Sequence, residues 1–233
     1  HFLRGIHMET NLETEKVRNP SLLGLITRPG EQFERMREKP AFWFPLVIVL
    51  ILSVAGAYML SEKTALSTDL SEMPDAEAFQ AAMKGIGIIG GIFGFVIALL
   101  ISALIYWLIV KIGRGTTNFV HMFSLSVFTY FIAAIGQFIG GLVIYYSNID
   151  PTIVVTSLNG IIPADEPLKS VLGVFDIFTI WSLSLVALGL QKVGGISKKA
   201  AWTGVIILFV ISILLALIGG MAINFFDSFE GAM

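Results

Sequence analysis

The chain has 233 residues, of which 55% are hydrophobic and 14% are charged, and its formal net charge is −2. Soluble domains carry about 25% charged residues, so much of this surface is expected to face lipid rather than water. The absence of cysteine excludes disulfides and thiolate metal sites, and a net charge near zero gives no indication of nucleic-acid binding.

The N-terminal segment, residues 8–40, is polar and lacks the apolar core of a signal peptide. Residues 1–7 are expected to be an artificial addition before a native start at Met8. Pro29 and Glu31 predict the first turn of a short amphipathic helix that lies on the membrane or docks a partner. A solvated lead-in to the first span is the alternative. The candidate cytoplasmic docking residues are Phe33, Arg35, Met36 and Arg37.

Five nearly uncharged stretches follow, each close to or above the roughly 20 residues that a helix needs to cross a bilayer. They are residues 42–60, 85–110, 119–146, 171–190 and 200–226. Because lipid offers no hydrogen-bond partners, each span must satisfy its own backbone as a helix. The sequence therefore predicts an all-α fold, an integral membrane bundle of five transmembrane helices, in one membrane domain over residues 41–226. An external tail, 227–233, follows it.

Lysine and arginine fall mainly on one side of these spans. That side holds Lys16, Arg18, Arg28, Arg35, Arg37, Lys39, Lys111, Arg114, Lys192, Lys198 and Lys199. The opposite side holds Lys63, Lys84 and Lys169. Basic loops stay in the cytoplasm, so the pattern predicts a multi-pass protein of the plasma membrane with a cytoplasmic N-terminus and an external C-terminus.

The two predicted external loops differ in composition. Residues 61–84 are acidic, which suits either a docking surface for an extracytoplasmic partner or a plain solvated face. Residues 147–169 contain the apolar stretch TIVVTSLNGII. This stretch is expected to touch the membrane interface or to pack over the bundle.

Small residues recur within three of the spans, at positions that let two helix backbones approach closely. The candidate helix-packing residues are Gly90, Gly94, Ala98, Ser102, Gly136, Gly140, Ala216 and Gly220. They predict either packing within one bundle or the seam of a homo-oligomer.

Asp176 lies within the fourth predicted span. A charge inside the bilayer is costly, so it usually has a partner or a function. Gln137, Thr179 and Asn224 are expected at a similar depth and complete a candidate intramembrane polar network. The alternative is a proton or cation site in a small channel or proton-coupled transporter, although transporters usually carry several such groups near the midplane.

Catalytic and cofactor motifs are absent from the sequence. It contains no HExxH zinc motif, no GxSxG nucleophile elbow and no GxxxxGK[ST] phosphate loop. His121, beside Asn118, is expected to be an interfacial side chain rather than a metal ligand. We therefore expect no enzyme activity, no catalytic or metal site and no cofactor.

The segment DIFTIWSLSLVALGLQKVGGISKKAAW, residues 176–202, carries a family pattern. It has an acidic residue, then Trp-Ser, a Gly-Leu exit and a basic loop. The matching residues are Trp181, Ser182, Gly189, Leu190, Lys198, Lys199 and Ala200. The loop 113–119 before Tyr130, and the lead-in with Pro29 and Phe33, agree as well. From about residue 19 the chain resembles the Yip-domain family of polytopic membrane proteins, bacterial members above all.

The resemblance implies five helices, a cytoplasmic N-terminus and no active site. Eukaryotic members of the family organise membrane traffic and contact Rab-type GTPases. Bacterial members resemble accessory subunits of ABC-type exporters, linked to protection against toxic or antimicrobial peptides. The leading hypothesis is therefore an accessory protein whose partners are the lipid bilayer, ABC transporter subunits and, through the small-residue seams, further copies of itself.

Overall fold

The computed structural model describes residues 18–65 and 76–230, and within them the secondary structure is helical. The helices are α1 (Leu22–Thr27), α2 (Pro29–Glu38), α3 (Trp43–Ala65), α4 (Ala76–Ile112), α5 (Phe119–Tyr146), α6 (Leu168–Val174), α7 (Ile177–Lys192) and α8 (Lys198–Glu230). A short 3-10 turn covers Leu158–Gly160. The expectation for residues 1–7, the centre of the acidic loop and the last three residues of the tail lie outside the described residues.

Four helices are long and apolar enough to cross a membrane, judged on the described residues. Their apolar segments are Trp43–Lys63, Gly85–Ile112, Phe119–Tyr146 and Lys198–Phe226. The predicted fourth span, residues 171–190, is instead divided, because α6 ends at Val174 and α7 starts at Ile177. The 16 residues of α7 rise about 24 Å, less than the roughly 30 Å hydrocarbon core.

Helix α5 forms the centre of the bundle and contacts α3, α4 and α7. Half of its span is buried, compared with 11% for α4 and 6% for α8. Its buried face includes hydroxyl side chains that donate hydrogen bonds to backbone carbonyls of the same helix. Thr129 Oγ1 donates to the carbonyl of Leu125 at 2.9 Å, and Ser126 Oγ donates to that of Phe123 at 2.8 Å. Polar residues therefore enter the core of this helix without leaving a hydroxyl unpaired.

Two close contacts fix the neighbours of α5. Gly141 on α5 lies against the backbone of Gly56 on α3, where an added side chain would lie 2.7 Å from the Gly56 carbonyl oxygen. On the α7 side, Ser182 Oγ donates to the carbonyl oxygen of Thr129 at 2.7 Å. Both contacts need small side chains, because helix backbones come close only where no bulky group intervenes.

The two ends of the bundle differ in their charge and in the segments that cover them. We call one the basic end: it carries α1, α2, the turn at residues 113–118 and the turn at residues 193–197. Its exposed cations include Arg28, Arg37, Lys111, Arg114 and Lys198. We call the other the capped end, where residues 150–167 and α6 cover the start of α7 and the last turns of α8.

Candidate functional site

Asp176 is the N-cap of α7 and only 6% of its surface is exposed. Its Oδ2 accepts a hydrogen bond from the Thr179 backbone N–H at 2.8 Å, as an N-cap carboxylate does for an unpaired N–H of a first helical turn. Its Oδ1 accepts from Thr156 Oγ1. Among the described residues, Asp176 takes part in no ion pair with a lysine or arginine. The carboxylate is thus buried and hydrogen-bonded, but it has no cationic partner in the described part of the chain.

The segment that holds Thr156 is itself folded over the bundle. Ser157 and Asn159 are buried, and Asn159 Oδ1 accepts from Ser157 Oγ at 2.8 Å and from the Val154 N–H at 3.0 Å. The segment also pairs with the α6–α7 break: the Ile177 N–H donates to the Thr156 carbonyl at 3.2 Å. The stretch therefore packs onto the bundle through its polar residues, whereas most of its apolar side chains are exposed.

An ion pair anchors the outer edge of this segment. Lys169 Nζ lies 3.2 Å from Asp150 Oδ2 and donates to Thr152 Oγ1 at 2.5 Å. Hydrogen bonds from the Thr152 hydroxyl and backbone N–H hold the pKa of Asp150 below its ordinary value, with a further contribution from Lys169. The loop and α6 are therefore tied together at the capped end.

The four predicted network residues do not form one hydrogen-bonded set. Thr179 meets Asp176 through its backbone N–H. Gln137 lies in the wall of the same cavity, yet the hydrogen bonds of Asp176 go elsewhere. Asn224 donates instead to the Glu166 carbonyl at 3.0 Å, which ties α8 to the loop before α6.

Thr156 was missed by the sequence reasoning. It is 20 residues from Asp176, and a threonine in an apolar loop has no spacing that marks it as a partner. The apolar character of the stretch was the one available signal, and it predicted that the loop touches the membrane interface or packs over the bundle, but not this contact.

Two cavities join at this end of the bundle. The first, of about 500 Å³, lies between α3 and α4 and is floored by α5. The second, of about 580 Å³, extends from α3 and α5 to Thr156 and Asp176. They share wall residues Ala57, Ser61, Tyr130 and Gln137. In the wall of the first cavity, the buried hydroxyl of Ser53 has no hydrogen-bond partner among the residues that the structure describes. The two cavities therefore adjoin and share part of their walls.

Some of the predicted helix-packing residues contact another part of the chain, whereas others have open space beside them. Gly136 lies against the Phe178 ring, and Gly220 lies against Glu166 and Pro167. Gly90, Gly94 and Gly140 have no atom within 4 Å of an added side-chain position. Of the other predicted positions, Ala98 is exposed, and Ser102 and Ala216 are half-buried. Gly90 and Gly94 of α4 are thus not packed against another helix in residues 18–65 and 76–230.

At the basic end, the structure corrects one expectation about docking. Phe33 and Met36 are fully buried and belong to the hydrophobic core, where α2 packs on α5 and α7. They hold α2 to the bundle and are not available to a partner. Arg35 is half-buried and pairs with Glu31, whereas Arg37 is exposed.

Polar contacts complete the attachment of α2. Lys192 Nζ on α7 lies 2.6 Å from Glu34 Oε1, and this hydrogen-bonded pairing lowers the pKa of Glu34. His121 Nε2 lies 3.1 Å from the Arg37 carbonyl oxygen, and Nδ1 lies 2.7 Å from Asn118 Oδ1. His121 thus contacts the end of α2. Within the described residues, no group of three histidine or carboxylate side chains is arranged to hold a metal ion.

Comparison with known proteins gives two matches. A model of the Yip1 domain matches residues 23–219. The chain is also 45% identical over 231 residues to "Membrane protein YknW" of Bacillus subtilis (strain 168), an alignment that covers 92% of this chain and 97% of that protein. No solved structure matches. The resemblance stated from the residues alone is thereby confirmed, and the Asp176 crevice lies inside the matched region.

Proposed function

This chain belongs to the Yip1 domain family of membrane proteins, and on that premise we propose that it is a non-enzymatic accessory protein that docks an ABC-type exporter in the plasma membrane. The family resemblance implies this role for bacterial members, in protection against toxic or antimicrobial peptides. The family match supports membership, and the exposed small residues of α4 and exposed Arg37 on α2 support docking.

The proposal includes five membrane crossings. Helix α7 alone is short, but α6 and residues 150–167 lie at its N-terminal end, where the missing first turns would stand, so together they complete the crossing. The basic end then faces the cytoplasm, in agreement with the preference of lysine and arginine for that side. The N-terminus is cytoplasmic and the C-terminus external in this arrangement.

The observation that carries the docking proposal is the unused small-residue face of α4. Gly90 and Gly94 have open space where a side chain would stand, and Ala98 continues the face. Small residues let a helix of another protein approach closely enough for dispersion and backbone contacts, which is how membrane helices associate. Packing among the described residues does not account for the ladder, so a helix of the exporter is the proposed neighbour.

Affinity purification of the full chain from membranes in mild detergent tests this docking. The ATPase and permease subunits of one exporter should be recovered with it. Gly94→Leu should reduce their recovery by about tenfold, because the added side chain holds the helices apart. Gly219→Leu is the matched control, since Gly219 on α8 is also exposed with open space around it. Recovery of the chain alone, or equal effects of the two variants, would overturn the proposal.

Arg37 is a second candidate contact, on the cytoplasmic side. It is exposed at the end of α2, and charge reversal there should weaken an electrostatic contact with the partner. Arg37→Glu is compared with Arg18→Glu, which changes an exposed cation outside the helix. A larger loss of exporter subunits with Arg37→Glu than with Arg18→Glu would assign the contact to Arg37, and equal losses would exclude it.

The channel or carrier hypothesis based on Asp176 has less support. Both carboxylate oxygens are already hydrogen-bonded, and one of them caps α7. Asparagine caps helices as well as aspartate does. Asp176→Asn should therefore keep the protein folded, and proton or cation flux in liposomes that disappears in this variant would favour transport over docking.

A further inference from the structure

The joined cavities near Asp176 have the form of a ligand site. Each is within the 300–1,000 Å³ range of typical ligand pockets. Helices α3 and α4 touch little along this length. Half of the Tyr58 surface and 42% of the Ile88 surface are exposed beside the gap, so the crevice opens sideways, toward the membrane.

The first cavity matches an apolar chain. Its walls are mainly aliphatic and aromatic, with Leu50, Val54, Ile92 and Phe95 among them. Along α3 it extends from Leu50 to Ser61, about 16 Å at the helical rise, which is roughly half of the ~30 Å hydrocarbon core. The Ser53 hydroxyl can turn toward a carbonyl of its own helix, as serines in spanning helices do. The dimensions are those of an acyl chain within one leaflet.

The second cavity supplies a charge. The Asp176 carboxylate in its wall is 6% exposed and has no cationic partner among the described residues. A buried charge is costly unless it is paired. Each oxygen accepts one hydrogen bond, and a carboxylate offers about four acceptor positions. The site thus has room for further donors and favours a positive group.

We propose that the joined cavities bind one aminophospholipid, with an acyl chain in the first cavity and its ammonium group beside Asp176 in the second. The lipid comes from the leaflet at the capped end. The sideways opening lets it enter from the membrane without leaving the bilayer.

Native mass spectrometry of the purified full chain, given phosphatidylethanolamine, phosphatidylcholine or phosphatidylglycerol, tests the headgroup. Phosphatidylethanolamine should bind about tenfold more tightly than phosphatidylglycerol, because a primary ammonium both pairs with the carboxylate and donates hydrogen bonds. Phosphatidylcholine, which lacks N–H donors, should fall between them. Equal binding of the three lipids by the unmodified chain overturns the proposal.

Two variants locate the lipid. Gly91 lines the first cavity and has open space for a side chain, so Gly91→Leu should fill the cavity and lower lipid binding about tenfold. Gly219→Leu, the matched change on α8, should leave it unchanged. Asp176→Asn keeps the helix cap and should abolish the headgroup preference. Equal binding by the two glycine variants overturns the chain site, and an unchanged preference in Asp176→Asn overturns the headgroup site.

Discussion

The basic end and the capped end of the bundle are built in opposite ways. At the basic end, α2 fills the space between α5 and α7 with Phe33 and Met36, and neither side chain is exposed. At the capped end, α3 and α4 separate, and two joined cavities reach inward to Ser53 and Asp176. One end is closed by apolar packing, whereas the other is covered by a hydrogen-bonded loop above an open crevice.

This contrast shows where each end obtains its stability. A fully buried aromatic ring resists replacement, because any smaller side chain leaves a cavity that the surroundings fill only in part. A crevice that opens to lipid has no such penalty, since lipid chains can fill it. The basic end is therefore expected to be rigid, and the capped end to tolerate changes that face the crevice.

The largest effect is expected from opening the closed end. Phe33→Ala removes a fully buried ring and should lower the free energy of unfolding by ~3–5 kcal/mol. Leu23→Ala is the control, because 76% of that side chain is exposed, and its effect should stay within ~0.5 kcal/mol. Denaturant unfolding in detergent micelles measures both. A similar, small effect of the two changes would show that α2 does not close the bundle.

A smaller effect is expected at the capped end, where one seam is tight beside the open crevice. Gly141→Ala should cost ~1–3 kcal/mol, because its new methyl group would meet the Gly56 carbonyl oxygen at 2.7 Å. The neighbouring Gly140→Ala has open space and should cause no loss, since alanine favours helix over glycine by up to ~1 kcal/mol. Thermal unfolding in the same micelles compares them. A loss of stability in Gly140→Ala would show that the space beside Gly140 is not open.

The smallest effect concerns the ion pair between Glu34 and Lys192. Because the pairing lowers the pKa of Glu34, its stabilising contribution is complete above the unfolded-state pKa and is lost as pH falls through the folded-state pKa. Amide exchange in α2 should be faster in Glu34→Gln than in the unmodified chain at pH 7. The difference should vanish in acid, below the folded-state pKa.

Glu38→Gln provides the control for this measurement, because Glu38 is an exposed glutamate of the same helix. Its exchange should match that of the unmodified chain at every pH. If amide exchange in α2 still differed between Glu34→Gln and the unmodified chain in strong acid, the ion pair would not be what holds α2 to the bundle.

Much of the helical content followed from local sequence properties. Long uncharged stretches predicted the helices now seen as α3, α4, α5 and α8, since only a helix satisfies its backbone without outside partners. Proline and glutamate predicted a helix starting at Pro29, and α2 starts there. Helix capping is also a local property. Asp176 was nevertheless assigned to the interior of a span, because neither a proline nor a further charged residue marks the break between α6 and α7.

The sequence by itself determined that this chain is made of apolar helices and where the spans of α3, α4, α5 and α8 run, because hydropathy and helix formation depend on near neighbours in the chain. Its motifs also indicated the family. Only the tertiary structure decided that Phe33 and Met36 are internal, that Thr156 bonds Asp176, and that Gly90 and Gly94 face outward. The physical reason is that lipid is as apolar as leucine. An apolar helix face therefore looks the same in sequence whether it meets lipid, a partner or its own bundle.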